Sequence, residues 1–361
     1  MKYIFNVIAL IAFLVFCCGC KPDKDKGGIE DITQPRFLEI NGNGDSWEAV
    51  SVSPFDGSRD TLIIDAPLDR LIVMSTSHIG FLDAIGRSDV IVGVSGLDYA
   101  YSSLSGPVDV GYDSAPDYEK IVALKPDLLL TYSVSAAKSQ FLTRLEQLGI
   151  RVFIVNEHLE SHPLARASYV RLFGALTGTM EKADSVLEAV HSSYSVLADS
   201  LSAANTAKRK VLLNIPYNDQ WFVPSKDSYL TAMISDAGGE VLGSQEGRAV
   251  SSVMSVEKAY SLSKDADCWL NVGWCSTMEQ LLSVNPVFGD MVTSISSNAD
   301  ALGYGGVPSF WNDNKRLNPK GGNDIWESGV ARPDLLLKDL AAILHPQGSV
   351  PATTVYYRPI E

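Results

Sequence analysis

The chain has 361 residues, 46% of them apolar, and a formal net charge of −14. An acidic surface of that size repels nucleic acid, and a chain this long without low-complexity tracts has the apolar mass for two lobes of about 150 residues each. Five cysteines in that length imply no disulfide framework, and no CxxC or Cys/His zinc spacing occurs.

At the N-terminus Lys2 precedes an apolar run over residues 7–18, which ends in Gly19-Cys20 and turns polar at Lys21-Pro22-Asp23. Those 12 residues fall short of the roughly 20 that a bilayer span requires, so residues 1–19 are expected to be a cleaved secretory signal. Small residues before a cysteine resemble the bacterial lipoprotein signal, which implies lipid on Cys20; Cys17 stands where that pattern usually has leucine. Residues 20–33, rich in Lys, Asp and Gly, read as a solvated tether that spans roughly 46 Å when fully extended.

Strand patterns alternate with the turn residues Asn41-Gly-Asn-Gly44 and Pro54-Phe-Asp-Gly57, which predicts an added β-ribbon. Beyond Pro67 the rhythm becomes strand and helix, with strands over 71–74, 90–94, 108–110, 127–130 and 151–155 and helices over 81–85, 118–124, 136–148 and 164–176. That alternation predicts an α/β lobe over 34–178 with a mostly parallel sheet. Gly178 then breaks the chain, and one helix is expected over 179–205. Ala183, Leu187, Val190, Tyr194, Leu197 and Leu201 step by 4, 3, 4, 3 and 4 along one face. At 1.5 Å per residue the helix is roughly 39 Å long, enough to bridge two lobes, although a surface helix has the same periodicity. The rhythm restarts with strands over 211–215, 221–223 and 268–272 and helices over 229–237, 256–262, 278–282 and 334–344, a second lobe over 206–345. Residues 346–361 read as an irregular tail.

Catalytic patterns are lacking: there is no GxSxG elbow and no HExxH helix. His158 and His162 form the single histidine pair at ligand spacing, and Pro163 puts them in a loop. A binding protein is therefore expected, with no catalytic residue, resident cofactor or metal; a lipid-anchored hydrolase is the rival from another class. Aromatic residues are the stronger signal, since Tyr99, Tyr101, Tyr112, Tyr132, Tyr217, Trp221, Trp274 and Trp326 follow strand patterns or occupy the turns beyond them. That rim of a parallel sheet binds ligands, and aromatic faces there stack on flat, mostly apolar molecules, although loop packing explains any one of them equally well. Ser75-Thr-Ser77 suits either a helix cap or an anionic group. The polar segment 312–333 gathers Lys315, Arg316, Lys320 and Arg332, which suits carboxylate or catecholate groups. Cys268 and Cys275 read as buried thiols.

Arg70-Leu-Ile-Val-Met-Ser75, Ile91-Val-Gly-Val-Ser95, Gly111-Tyr112, Tyr118-Glu-Lys-Ile-Val-Ala-Leu-Lys-Pro-Asp-Leu128, Leu148-Gly-Ile-Arg-Val152 and Asp236-Ala-Gly-Gly239 then combine into one pattern. Over roughly residues 71–344 the chain resembles the substrate-binding proteins of bacterial ABC importers for iron chelates, haem and cobalamin. The resemblance implies two Rossmann-like lobes joined by one long α-helix, with a metal chelate held between them in a periplasmic, lipid-anchored monomer. It also implies docking of Glu119 and Glu257 onto an inner-membrane permease, and ligand contacts from Tyr99, Tyr112, Tyr132, Trp326 and Arg332. The basic loop favours a ferric siderophore or haem, whereas the tryptophans suit neutral cobalamin equally. A free divalent-metal carrier would need His, Asp or Glu ligands converging from both lobes.

Overall fold

The computed structural model describes residues 33–44, 46–204, 206–247, 251–346 and 353–360. The expected signal, Cys20 and residues 20–32 of the tether lie outside the described residues.

The added ribbon is a three-stranded antiparallel sheet of β1 (Leu38–Asn43), β2 (Ser46–Val52) and β3 (Arg59–Ile64). Leu38, Ala49, Leu62 and Ile64 turn inward onto the first core. One buried carboxylate fixes where the chain enters the fold. Glu160 accepts the backbone N–H groups of Arg36 at 3.0 Å and Phe37 at 3.1 Å, and the Tyr169 hydroxyl at 2.8 Å.

The first lobe comprises β4 (Leu71–Val73), α1 (Thr76–Ala84), β5 (Ile91–Val94), β6 (Val108–Asp109), a small hairpin of β7 (Gly111–Tyr112) and β8 (Ala115–Pro116), α2 (Tyr118–Ala123), β9 (Leu128–Thr131), α3 (Gln140–Gln147), β10 (Val152–Ile154), α4 (Pro163–Ala167) and α5 (Val170–Thr177). Its main sheet runs β10-β9-β4-β5-β6, all parallel. β4 and β9 are buried along their whole length, as a parallel sheet covered on both faces requires. Because β4 lies between β9 and β5, chain order reverses there and leaves a crevice at the carboxyl ends of the strands. Two helices differ from expectation. α3 begins only at Gln140, where the Ser139 hydroxyl accepts the Leu142 N–H at 3.2 Å. The helix expected over 164–176 is two helices, and at their junction the Ser168 hydroxyl donates back to the Leu164 carbonyl.

Gly178, at φ +68°, ends α5 and turns the chain into α6 (Met180–Ala203), a helix of 24 residues. Its apolar stripe serves two cores in sequence. Ala183 packs in the first, Val190 and Tyr194 in the second, and Val186 and Leu187 touch both. The Tyr194 hydroxyl then donates to Asp236 at 2.7 Å.

The second lobe contains β11 (Arg209–Leu213), β12 (Trp221–Pro224), α7 (Tyr229–Asp236), β13 (Gly239–Val241), β14 (Ser251–Met254), α8 (Val256–Ser263), β15 (Cys268–Leu270), α9 (Met278–Val284), α10 (Phe288–Ala301), β16 (Phe310–Asn312), α12 (Pro333–Leu344) and β17 (Arg358–Pro359), with α11 (Ser328–Ala331) lying in the chain between β16 and α12. Its sheet, β13-β11-β15-β16-β17, is parallel except for the last strand. β12 and β14 form a separate antiparallel pair.

Two expected boundaries need correction. The segment after β16 does not stay in the second lobe: Val330 and Ala331 belong to the first core, and α11 packs so tightly on α1 that a Cβ on Gly80 would sit 2.0 Å from the Glu327 carbonyl. The tail is not irregular throughout, because residues 353–360 return as β17 along β16 and bury Tyr356 and Tyr357. The Asp339 carboxylate on α12 holds it, accepting the N–H groups of Val355 at 2.7 Å, Tyr356 at 2.6 Å and Tyr357 at 3.1 Å.

Asp339→Ala leaves those three donors without their acceptor. A loss of about 2–4 kcal/mol is expected, read as a lower urea midpoint. An unchanged midpoint would mean that this carboxylate does not hold the returning strand.

Candidate functional site

Between the lobes lies a cleft of about 860 Å³. Thr76, Tyr99 and His158 line it from the first lobe, each just past a strand of the parallel sheet or in the loop beyond it. From the second lobe come Asn214 after β11, Asn271 and Trp274 after β15, and Asp313 after β16. The carboxyl ends of both sheets therefore supply the walls. Asn214 and Asn271 adopt φ of +67° and +58°, a conformation that asparagine tolerates better than most residues, so each turns the chain sharply at a strand end. Asn214 donates its amide to the Phe222 carbonyl at 2.7 Å, and Asn271 accepts the Tyr357 hydroxyl at 2.9 Å. Ser228 and Tyr229, at the start of α7, complete this wall.

A second tie joins the lobes along the cleft. The Glu327 carboxylate accepts the N–H groups of Tyr101 and Ser102, both at 2.8 Å. The Asn318 amide donates to the carbonyls of Asp98 at 2.9 Å and Ala100 at 2.7 Å. Gly322 passes so close that a Cβ would stand 2.2 Å from the Tyr99 carbonyl. Trp326 and Asn323 ride on this segment and line the cleft.

Beneath the first-lobe wall is a buried polar cluster. The Ser77 hydroxyl donates to Glu157 at 2.6 Å, while Arg166 and His158 each approach that carboxylate to 3.9 Å. The Arg166 guanidinium lies 4.4 Å above the ring of Tyr229, so one buried cation joins a first-lobe carboxylate to a cleft residue of the second lobe. Burial alone would raise the Glu157 carboxyl, but His158, His78 and Arg166 outweigh it and bring it down to about 2. His78 is fully buried with neither ring nitrogen hydrogen-bonded among the described residues, and burial drives its imidazole down to about 4 against a smaller upward pull from Glu157.

The structure gathers Tyr99, Trp274 and Trp326 at the cleft, exposed by 51%, 62% and 46%. The other expected contacts stand elsewhere. Trp221 is a core residue: it is fully buried, stacks on Trp269 at 5.8 Å and donates its indole N–H to the Leu213 carbonyl. Arg332 is engaged by the buried Asp334 in the first turn of α12, at 2.8 and 2.9 Å, and does not line the cleft. Tyr132 faces a separate cavity of about 420 Å³ between the ribbon and residues 133–139. Tyr112 packs its ring against Gly96, and Tyr217 is exposed in the turn that closes on Gln220. Glu119 and Glu257 are exposed in the first turns of α2 and α8.

The basic segment is likewise spent locally. Lys315 donates to Thr354, Arg316 pairs with Asp324 at 2.7 Å, and Lys320 stands 3.9 Å from Asp98. The Ser75 hydroxyl accepts the Ser77 N–H as the cap of α1, and Thr76 donates to the Trp326 carbonyl. His162 does not join His158: its Nδ1 accepts the Leu164 N–H as the cap of α4. Cys268 and Cys275 are free and buried, and burial pushes the Cys268 thiol up to about 12. No group of three or more His, Cys, Asp or Glu side chains suited to a metal ion occurs among the described residues, and no helix there is long and apolar enough to cross a membrane.

The sequence reading missed Asn214, Asn271 and Asp313. The signal it passed over is the polar residue that directly follows Val211-Leu-Leu213, Cys268-Trp-Leu270 and Phe310-Trp-Asn312.

Residues 71–294 match the family described as periplasmic binding protein. Among curated proteins, an uncharacterized lipoprotein of Methanocaldococcus jannaschii is 26% identical over 306 residues, 79% of this chain and 67% of its own length. An uncharacterized ABC transporter substrate-binding lipoprotein of Bacillus subtilis is 23% identical over 190 residues, 52% of this chain and 60% of its own. A cobalamin-binding protein of Halobacterium salinarum is 23% identical over 214 residues, 59% of this chain and 56% of its own. The matches thus span 56% to 67% of these relatives' lengths. A periplasmic haem-binding protein of Pseudomonas aeruginosa shares the fold, with a TM-score of 0.61, 19% identity and coverage of 81% of this chain and 98% of that one.

The buried cluster makes the fold sensitive to acid. His78 and Glu157 both have depressed folded-state values, so the unfolded chain binds more protons and stability falls with pH. The His78 contribution is lost between pH 6.5 and about 4, and that of Glu157 between 4.5 and about 2. His78→Leu should remove the upper step, on the order of 3 kcal/mol, and flatten the melting temperature over that range. Parallel acid curves for the variant and the parent would assign the step to another group.

Proposed function

Because the chain belongs to the periplasmic binding protein family, we propose that it is the substrate-binding component of an ABC importer, holding a flat metal chelate between its lobes outside the cytoplasm. The observation that carries the ligand class is the cleft's lining. Asn214, Asn271, Asn314 and Asn323 bring carboxamides to it, Tyr99, Tyr229, Trp274 and Trp326 bring aromatic faces, and no lysine or arginine lines it among the described residues. Haem carboxylates or a catecholate would enter a site containing Asp313 and no described cation, which costs desolvation without a compensating pair. A macrocycle rimmed with carboxamides meets the Asn214 amide oxygen, which can accept, and the Asn271 amide nitrogen, which can donate, while Asn323 is held by Asp313 and Ile325 and the Asn314 oxygen by Arg358. A corrinoid is therefore favoured over the anionic iron chelate suggested by the basic loop, whose cations are paired elsewhere. A volume of about 860 Å³ suits such a ligand. The cobalamin-binding relative from Halobacterium salinarum agrees with this reading.

In this account no bond is made or broken. Trp274 and Trp326 cover the apolar faces of the ligand, the asparagines fix its rim, and the permease recognises the loaded protein through Glu119 and Glu257, one exposed on each lobe. Lipid on Cys20 keeps the carrier at the membrane where that permease sits, consistent with the lipoprotein relatives.

Titration of the purified mature protein with cyanocobalamin, haemin and a ferric catecholate siderophore, followed by tryptophan emission, tests the reading. Cyanocobalamin should quench at the lowest concentration, and Trp326→Ala should weaken it about tenfold or more. Tighter binding of haemin or siderophore, or no quenching by any of the three, would refute the corrinoid reading.

A further inference from the structure

Asp313 is the sole carboxylate lining the cleft among the described residues. It directly follows β16, and its backbone is held at both ends: its N–H donates to Asn312 Oδ1 at 3.0 Å, and its carbonyl accepts Asn323 Nδ2 at 3.0 Å. Those bonds fix the residue, and the hydrogen-bond donor its carboxylate has is its own backbone N–H. Cations are close in sequence, yet each is directed away. Lys315 reaches Thr354, Arg316 reaches Asp324, and Arg358 takes the amide oxygen of the adjacent Asn314 at 2.7 Å. Burial pushes the Asp313 carboxyl up to about 6 against a smaller downward pull from its own backbone N–H. Such an arrangement is costly in the empty protein and is relieved by a ligand that brings hydrogen-bond donors.

We propose that Asp313 sets the charge specificity of the cleft: its carboxylate accepts N–H donors from the rim of the bound molecule and turns away ligands that present carboxylates there. The inference rests on the reading of the cleft as a corrinoid site and names the residue that makes the choice. Asp313 is thereby a specificity-determining residue, whereas the aromatic side chains, which stack on any flat macrocycle, contribute affinity to haem and corrin alike.

The test compares dissociation constants for haemin and cyanocobalamin in the parent protein, Asp313→Asn and Asp313→Lys. Asp313→Asn keeps the shape and removes the charge, so the parent's preference for cyanocobalamin should shrink about tenfold or more, and Asp313→Lys should shrink it further. A second readout separates Asp313 from the net charge of −14, whose screening acts on every variant alike. Raising ionic strength so that the Debye length falls from about 30 Å to about 8 Å should strengthen haemin binding more in the parent than in Asp313→Asn and leave cyanocobalamin binding unchanged in both. If the parent prefers cyanocobalamin but the ratio is the same in Asp313→Asn, or the salt dependence of haemin binding is the same in the two, the role of Asp313 is overturned and the corrinoid reading survives. If the parent does not prefer cyanocobalamin, both fall together.

Discussion

The Glu327 carboxylate holding the backbone of Tyr101 and Ser102 is the interaction on which the cleft depends. It adds to the links made by α6, by α11 packed on α1 and by Arg166 stacked over Tyr229. With it, and with the Asn318 amide on the carbonyls of Asp98 and Ala100, the loop after β5 is tied to the segment that carries Asn323 and Trp326. Hydrogen bonds to a charged acceptor are each worth about 1.5–3 kcal/mol, so two of them are a substantial restraint on a loop. The carboxylate also pays for its position, since burial raises its pKa against the pull of those same N–H groups. The consequence is a cleft whose walls exist before the ligand arrives, and binding energy that is not spent on ordering them.

Charge is distributed with the same economy. A chain of net charge −14 places its basic residues of the 315–332 region against Thr354, Asp324, Asp98 and Asp334, outside the cleft. The cleft is lined by aromatic, amide and hydroxyl side chains with Pro224, Leu230, Leu317 and glycines between them, and Asp313 and His158 are the titratable exceptions besides tyrosine among the described residues. Below His158, the Glu157 carboxyl is held low against its burial, and Arg166, one of the groups that hold it, also carries Tyr229. The floor of the site is thus built by electrostatics and its walls by amides and rings.

Much of the fold was legible because its signals are local. Short runs such as Leu71-Ile-Val73 and Leu128-Leu-Leu130 are buried on both sides, and the 4-3 stripe of α6 is read the same way by both cores. α10 was missed because Ser, Thr, Asn and Asp dominate it, residues of modest helix propensity, although Phe288, Met291, Ile295 and Ala299 mark a buried face. β17 has two residues and exists because Asp339, on another element, anchors it. In the site, Trp221 followed a turn as a rim residue would, but strand parity decides its fate: Trp221 and Val223 point inward and Phe222 outward. The basic residues misled for a different reason. Their partners are fixed by tertiary placement, and a run of charge in sequence carries no record of which carboxylate or carbonyl already holds each one.

The central claim, that two ties hold a preformed cleft, is tested most directly by an interlobe distance. Spin labels at Lys120→Cys on α2 and Lys258→Cys on α8, in protein that starts at residue 20 and carries Cys20→Ala, where Cys268 and Cys275 are buried, report it by double electron–electron resonance. The account predicts one narrow distance distribution without ligand, little moved by saturating cyanocobalamin and broadened when Glu327 is replaced by alanine. Two well-separated populations in the unliganded protein, collapsing to one on binding, would contradict it.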